Sequence, residues 1–340
     1  MGEARAARLL CSLERAACLA AAALLARLPA MLGYRMACWR GDWLSRHQTA
    51  NGAELARNLR LVLGNELSPA TAQQVMRDWF RLTCCEWVDV RRLRHGGRPL
   101  RRLVEVRGRG HLEAALAGGK GAILCSAHFG SYLSGFSVLH TSGFPVTTIG
   151  RWWYNYDAGI SSAERRIWDL HHRPLRRHRQ RPNIEPWPGR PQVAALAAAA
   201  LRANEVVTIC IDAPPLESDR ARAVEVPFLG RQARLLPGAV VLAQLTGAPL
   251  LTCFMYRAAD YRHQVLEISA PVAVDGETAA TFERFASEMS AAIQRRPAHW
   301  NFWGKTGDLV NLGLIPRQPD TSPAACATRG PIADSSRRGS

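Results

Sequence analysis

Short apolar runs of strand length recur through the middle of the chain, at residues 103–106, 122–127, 146–149, 206–211, 250–256 and 265–268. Between them lie stretches with apolar residues at three- and four-residue spacing, notably 111–117, 133–139, 192–203, 238–245 and 281–295. Alternation of such runs with helices is the pattern of an α/β layer fold, so the expected class is α/β: a mixed, largely parallel sheet flanked by helices. The first hundred residues differ. Leu55, Leu59 and Leu63 within 52–63, and Val75, Trp79 and Phe80 within 69–91, lie at helical spacing. The organisation expected is a helical N-terminal region over 1–100, an α/β domain over 101–317 and a tail over 318–340. That tail is Pro, Ser, Thr, Ala, Gly and Arg, with too little to bury, and is expected to be disordered. Residues 173–191 hold six Arg and five Pro, with His178 and Trp187, and show no period. They read as a surface loop or a lid over a site.

Composition adds a partner class. Lys and Arg total 44 against 28 Asp and Glu, a formal charge of +16 in 340 residues that are 47% hydrophobic. The core is ample, and something anionic is an expected partner; anionic lipid and an acidic carrier protein rank above nucleic acid. The nine Cys are scattered without a C-x-x-C, the usage of a reduced, cytosol-facing protein. Cys125, Cys210 and Cys253 fall inside strand-like runs, where a buried thiol is a small hydrophobe. No metal-ligand spacing appears, and His171 and His172, which run into the basic stretch, read as a solvated face. Near the N-terminus residues 16–26, AACLAAAALLA, lie uncharged between Arg15 and Arg27. Such a run is far short of the roughly 20 residues of a span, and its charged flanks fit a cleaved signal poorly. An interfacial helix on anionic headgroups or a buried Ala-rich core helix both accommodate it.

The sharpest chemical feature is GAILCSAHFGS at residues 121–131, an apolar strand ending in Ala127-His128-Phe129-Gly130 before a helix. Ligands of open α/β sheets bind beyond the carboxyl ends of strands, where His128 stands and Gly130 lets the backbone approach an anionic centre. On residue chemistry alone His128 is either a catalytic base or a satisfied structural histidine.

This segment, with VPFLGRQARLLPGAVVLAQLTGAPLL at 226–251, Asn58-Leu59 on an early helix and Pro297-x-x-Trp300 near the end, resembles the lipid A biosynthesis acyltransferase branch of the lysophospholipid acyltransferase superfamily. The likeness spans about residues 28–305 and implies a glycerolipid-acyltransferase-like fold. It also implies a chemistry in which a His-x4-Asp/Glu motif supplies a general base and its orienting acid. By position His128 matches the base, with Phe129 and Gly130 its neighbours, but the acid should fall at residue 133, which is Leu133. Asp212, ending the strand VVTICID as the acid of a later family block does, is the candidate replacement; it also reads as a loop acid paired with Arg220 or Arg222. Glu217 and the hydroxyls of Ser131 and Tyr132 are weaker candidates.

The resemblance further assigns substrate contacts to Gly130, Ser131, Arg151, Asn155, Phe228 and Gly230. Arg151 and Asn155 echo an Arg-x3-Asn that meets the acceptor or a phosphate, and Trp152 and Trp153 line an acyl tunnel or pack in the core. The family Thr falls on Leu235, and Gly304 and Lys305 stand where a His and an Arg are usual. Together these imply an acyl transfer from acyl carrier protein (ACP) or coenzyme A (CoA) to a hydroxyl of a lipid or other amphipathic acceptor. No cofactor, metal or nucleic acid is implied, and the expected location is peripheral, on the cytoplasmic face of the bacterial inner membrane. The alternatives are a catalytically disarmed binder of lipid or acyl carrier protein, and a thioester hydrolase using the same cleft.

Overall fold

Strand β2 (Ala122–Ser126) is buried at every position, and its side chains divide between two cores. Ile123 and Cys125 enter one and Ala122 and Leu124 the other, which is why the strand is uninterruptedly apolar rather than alternating. This computed structural model describes residues 2–47, 50–64, 67–93, 98–152, 160–177, 183–186, 192–215, 217–274 and 276–317; the expectations for Trp153, Asn155, His178, Trp187 and the 318–340 tail lie outside them.

Around β2 are β1 (Val104–Arg107), β3 (Val146–Ile149), β4 (Val206–Cys210), β7 (Leu250–Arg257) and β8 (Gln264–Ile268), in the order β1-β8-β7-β2-β4-β3. Every neighbouring pair is parallel except β7 with β8, so the sheet is mixed and largely parallel, as the apolar runs predict. One face carries α3 (Ala50–Leu63), α9 (Gln192–Arg202), α10 (Gly238–Thr246) and α11 (Thr278–Arg295). The other carries α5 (Arg98–Arg101), α6 (Arg109–Ala117), α7 (Tyr132–Thr141) and α8 (Ser162–Arg177). Helix α4 (Pro69–Arg92) starts against the first core and ends in the second. Its start is set by Ser68, whose hydroxyl accepts the Thr71 N–H at 3.1 Å, with Pro69 in the first turn.

The N-terminal helices α1 (Gly2–Leu25) and α2 (Ala30–Arg46) pack on α4 around Leu25, Tyr34, Ala37, Cys85 and Val88. At Gly41 a Cβ would stand 2.6 Å from the Arg81 backbone, so α2 and α4 can touch only there with glycine. Among the described residues no helix is long and apolar enough to cross a membrane.

Three features depart from the sequence pattern. Strands β5 (Val224–Phe228) and β6 (Arg231–Leu235) form an antiparallel hairpin where no strands are expected. It turns on Leu229 and Gly230, with φ of 52° and 72°. Residues 173–177, expected to begin a loop, are the last turn of α8, with Pro174 inside the helix. His171 and His172, expected on a solvated face, are 4% and 8% exposed. They lie on the inner face of α8, His171 4.0 Å from the Trp87 ring and His172 stacked on Trp168 at 5.6 Å. Burial, with the charges of His172 and Arg91, pushes the His171 pKa well down and keeps that ring neutral.

A buried polar hub joins these helices to the sheet. Asp89 is fully buried and accepts from Tyr34 Oη at 2.6 Å, from Ser131 Oγ at 2.8 Å and from the Arg257 guanidinium. It thereby ties α2, α4, the start of α7 and β7 at one carboxylate. Removing one partner of such a pair strands the other charge. Asp89→Ala is expected to cost about 3–5 kcal/mol of stability, read as a large fall in the urea midpoint; a change below about 1 kcal/mol would show that the hub is dispensable.

Candidate active site

The parallel register of β2 with β4 builds the site. Ser126 lies opposite Cys210, and the Ile211 N–H donates to Ser126 O at 2.9 Å. Two residues further on each chain, that register sets His128 beside Asp212 at the carboxyl edge of the sheet, with neighbouring strands about 4.8 Å apart. Asp212 Oδ1 is 2.8 Å from His128 Nδ1. The same carboxylate accepts the His128 backbone N–H at 2.9 and 3.1 Å and the Trp300 indole N–H at 2.9 Å. Asp212 is wholly buried while the His128 side chain is 22% exposed. The carboxylate is therefore committed to His128 and Trp300, not to Arg220 or Arg222. With Nδ1 donating to Asp212, the lone pair lies on Nε2, where a histidine can act as a base.

The turn that presents His128 is held by main chain. Gly130 N–H donates to His299 O at 2.7 Å, and Asn301 N–H donates to His128 O at 2.9 Å. Gly130 has φ 57°, and a Cβ there would stand 2.0 Å from Met255 O, so only glycine fits against β7. The partner segment consists of two short 3-10 turns, Pro297–His299 and Asn301–Gly304. It is fixed from α3 by Asn58, fully buried, whose Nδ2 donates to Trp303 O at 2.8 Å. Phe302 packs its ring 4.6 Å from the His128 ring and Tyr132 closes the other side at 5.0 Å.

The remaining candidates sort by position. Ser131 is buried with its hydroxyl on Asp89, in the support of the turn. Phe228 is buried edge-on to Trp300 at 5.8 Å, one ring removed from Asp212, and Gly230 makes the hairpin turn. Arg151 follows β3 at the same sheet edge; Asn155 lies outside the described residues. Glu217 begins a 3-10 turn, Glu217–Arg222. Leu133, in the first turn of α7, packs against the second core. Lys305, of the closing block, holds its ammonium 4.8 Å over the Phe302 ring; Asp308 is a neighbour that the sequence did not single out. Burial raises the Asp308 carboxyl pKa against the pull of Lys305, His128 and Arg151, which marks it as a neighbour of the pair.

Ligand atoms of His128, Cys210 and Asp212 lie within 4.8 Å of one another, a set of donor types that zinc accepts. Burial, with Asp212 adding to it, pushes the Cys210 thiol well above its ordinary range, so it stays protonated. The Asp212 oxygens already take four hydrogen bonds. The chemistry here is that of a hydrogen-bonded His–Asp pair beside a neutral thiol.

The chain is similar to known proteins over nearly the whole of this frame. It is 29% identical over 262 residues to the phosphatidylinositol mannoside acyltransferase of Mycobacterium tuberculosis (strain ATCC 25618 / H37Rv), covering 73% of this chain and 74% of that one. The family model described as bacterial lipid A biosynthesis acyltransferase matches residues 5–167 and 169–305, from α1 through the segment that closes over His128. The chain is a member of that acyltransferase family.

Proposed function

We propose that the protein moves a fatty acyl chain from an acyl thioester, of acyl carrier protein or coenzyme A, to a hydroxyl of a membrane lipid, with His128 as general base and Asp212 as its orienting acid. The observation that carries this reading is the 2.8 Å Asp212–His128 contact at the sheet edge. It supplies from β4 the acid that Leu133 does not supply from α7. The acceptor O–H gives its proton to His128 Nε2 as the oxygen attacks the thioester carbonyl. The tetrahedral intermediate then collapses, the C–S bond breaks, and the thiolate takes the proton back from the imidazolium. Buried Asp212 fixes the tautomer and offsets the imidazolium charge, the role of the acid in a serine-protease triad. Arg151, at the neighbouring strand end, suits a phosphate of donor or acceptor. The names of the family and of the mycobacterial protein both support a lipid acceptor.

A location at the cytoplasmic face of the inner membrane draws support from the N-terminal helices. On α2 the residues Leu32, Met36, Trp39 and Trp43 recur at the spacing of one helical face and are all exposed, Trp39 by 68%. On α1 Leu13 and Leu24 are exposed in the same way. Exposed Arg27, Arg35 and Arg46 accompany them. An apolar stripe with arginines beside it is the composition of an interfacial helix. Leu24 lies in the uncharged run at 16–26, whereas Leu13 and the α2 residues lie outside it.

In a transfer assay with labelled acyl thioester and mixed bacterial lipids, His128→Ala and Asp212→Asn are each expected to lower kcat by about 10²–10⁴ with folding intact. Glu217→Gln is expected to leave it near wild type, and Leu133→Glu to be neutral or harmful, since a second carboxylate crowds the first. Equal turnover in wild type and His128→Ala would end the base assignment; no wild-type turnover with lipid binding retained would mark a binder. Flotation with anionic vesicles should retain the wild type at low salt, lose part of it as salt rises and lose most of it in Trp39→Ser/Trp43→Ser. Retention of that double variant would refute the α2 surface.

A further inference from the structure

A small enclosed cavity adjoins the turn that carries His128. Trp79 and Glu86 of α4, Ser131 of the turn, Arg257 and Gln264 of the two C-terminal strands and His299 of the closing segment are among the residues that line it. Its volume, about 10 Å³, is the space of one water. The lining mixes polar and apolar groups, and three of its side-chain donors meet no protein acceptor.

Gln264 is 1% exposed, and its Nε2 meets no protein acceptor; nor does the indole N–H of Trp79. His299 Nε2 accepts the Arg257 backbone N–H at 3.0 Å. Burial, together with Arg257 and Arg296, pushes the His299 pKa down to about 3. The ring is therefore neutral with its hydrogen on Nδ1, and that N–H also has no protein acceptor. Buried donors without acceptors are rare in folded proteins because each forfeits its hydration. The one carboxyl among the lining residues is that of Glu86. Burial and Asp89 raise its pKa, Arg257 and Lys305 lower it, and the balance falls at about 7.

We propose that this cavity is a binding site for one ordered water, accepting from His299 Nδ1–H and a second of these donors and donating to the Glu86 carboxylate. Through that water Glu86 is a positioning residue for the catalytic turn. The linkage is short. His299 gives its carbonyl to Gly130 N–H, and Asn301, two residues on, gives its N–H to His128 O. A carboxylate at Glu86 completes the water's partners and fixes the His299 ring. A protonated Glu86 adds a donor where donors are already in excess, and the ring is released. Asp89 on the same helix, Arg257 on β7 and Lys305 on the closing segment are the charged groups that face Glu86; His299 is uncharged.

The test uses the full chain with Glu86→Gln, which removes the ionisation and keeps hydrogen bonding, and Glu86→Leu, which removes both. At pH 8, hydrogen exchange of the Gly130 and Asn301 amides is expected to speed up by about five- to tenfold in Glu86→Leu and to a similar extent in Glu86→Gln, whose amide adds the same donor as a protonated carboxyl. Distant strands should be unchanged. At pH 8 the wild-type kcat/KM is expected to exceed that of Glu86→Gln by about five- to tenfold, and the excess is expected to shrink away as the pH falls below 7 and Glu86 is protonated. Unchanged exchange in a folded Glu86→Leu, or a wild-type excess over Glu86→Gln that persists below pH 7, would overturn the proposal. So would a crystal structure of the wild type with no density between Glu86 and His299. The activity arm rests on the acyltransferase reading. The exchange arm reads the turn in an inactive protein as well, so the two can fail separately.

Discussion

The register between β2 and β4 is the constraint on which the rest of the site depends. A parallel pair is fixed by main-chain hydrogen bonds along its whole length, and a shift by one residue would send every side chain to the opposite face. Here both faces of β2 are buried in different cores, so a shift would exchange Ile123 and Cys125 with Ala122 and Leu124 in volume and shape. Packing thus specifies the pairing throughout the strand, and the pairing of Ser126 with Cys210 delivers Asp212 to His128 two residues beyond the last ladder bond. The 2.8 Å Asp212–His128 contact is set by the core, not by the loop in which the residues lie.

A second layer of support comes from outside the sheet. The segment from Pro297 to Gly304 holds Asp212 through the Trp300 indole and the His128 turn through two backbone bonds, and α3 holds that segment through Asn58. The Asp89 hub holds the same turn from the other side through Ser131. Helices that come from the first hundred residues therefore clamp a site built near residues 128 and 212. The pairing of an N-terminal helical region with the α/β layers thus serves the site mechanically.

Much of the fold was legible because a doubly buried strand has an unmistakable composition. The strands at 146–149 and 250–257 announce themselves in this way. The β5–β6 hairpin does not: Pro227 demotes the first strand, Glu225, Arg231 and Arg234 stand in the two strands, and the turn is Leu-Gly rather than a recognised Asn-Gly. Helix α8 hides behind Pro174 and its arginines, and only the three-dimensional contact with Trp87 and Trp168 shows that His171 and His172 face inward. For the site, His128 was readable from strand, His, Phe, Gly in succession. Asp212 could be named as a candidate because it ends a strand and falls where a later block of the resembled family has its acid, but its contact with His128 was not legible, since a contact across 84 residues depends on strand order, which composition does not encode. The roles of Trp300, Asn301 and Phe302 were out of reach for the same reason, although the run of aromatics at 300–303 is the trace they leave.

The turn at Gly130 carries a consequence for how such a site can change over time. Its geometry is written in backbone atoms: two interstrand-like amide bonds to the closing segment and a glycine pressed against a β7 carbonyl. The Asn301 amide adds to that scaffold, donating to Gly130 O at 3.3 Å, while the Tyr132 ring stands 5.0 Å from that of His128. A substitution at Tyr132 can therefore reshape the wall beside His128 while the His–Asp pair stays in register. The form of the cleft is thereby free to diverge without disturbing the pair.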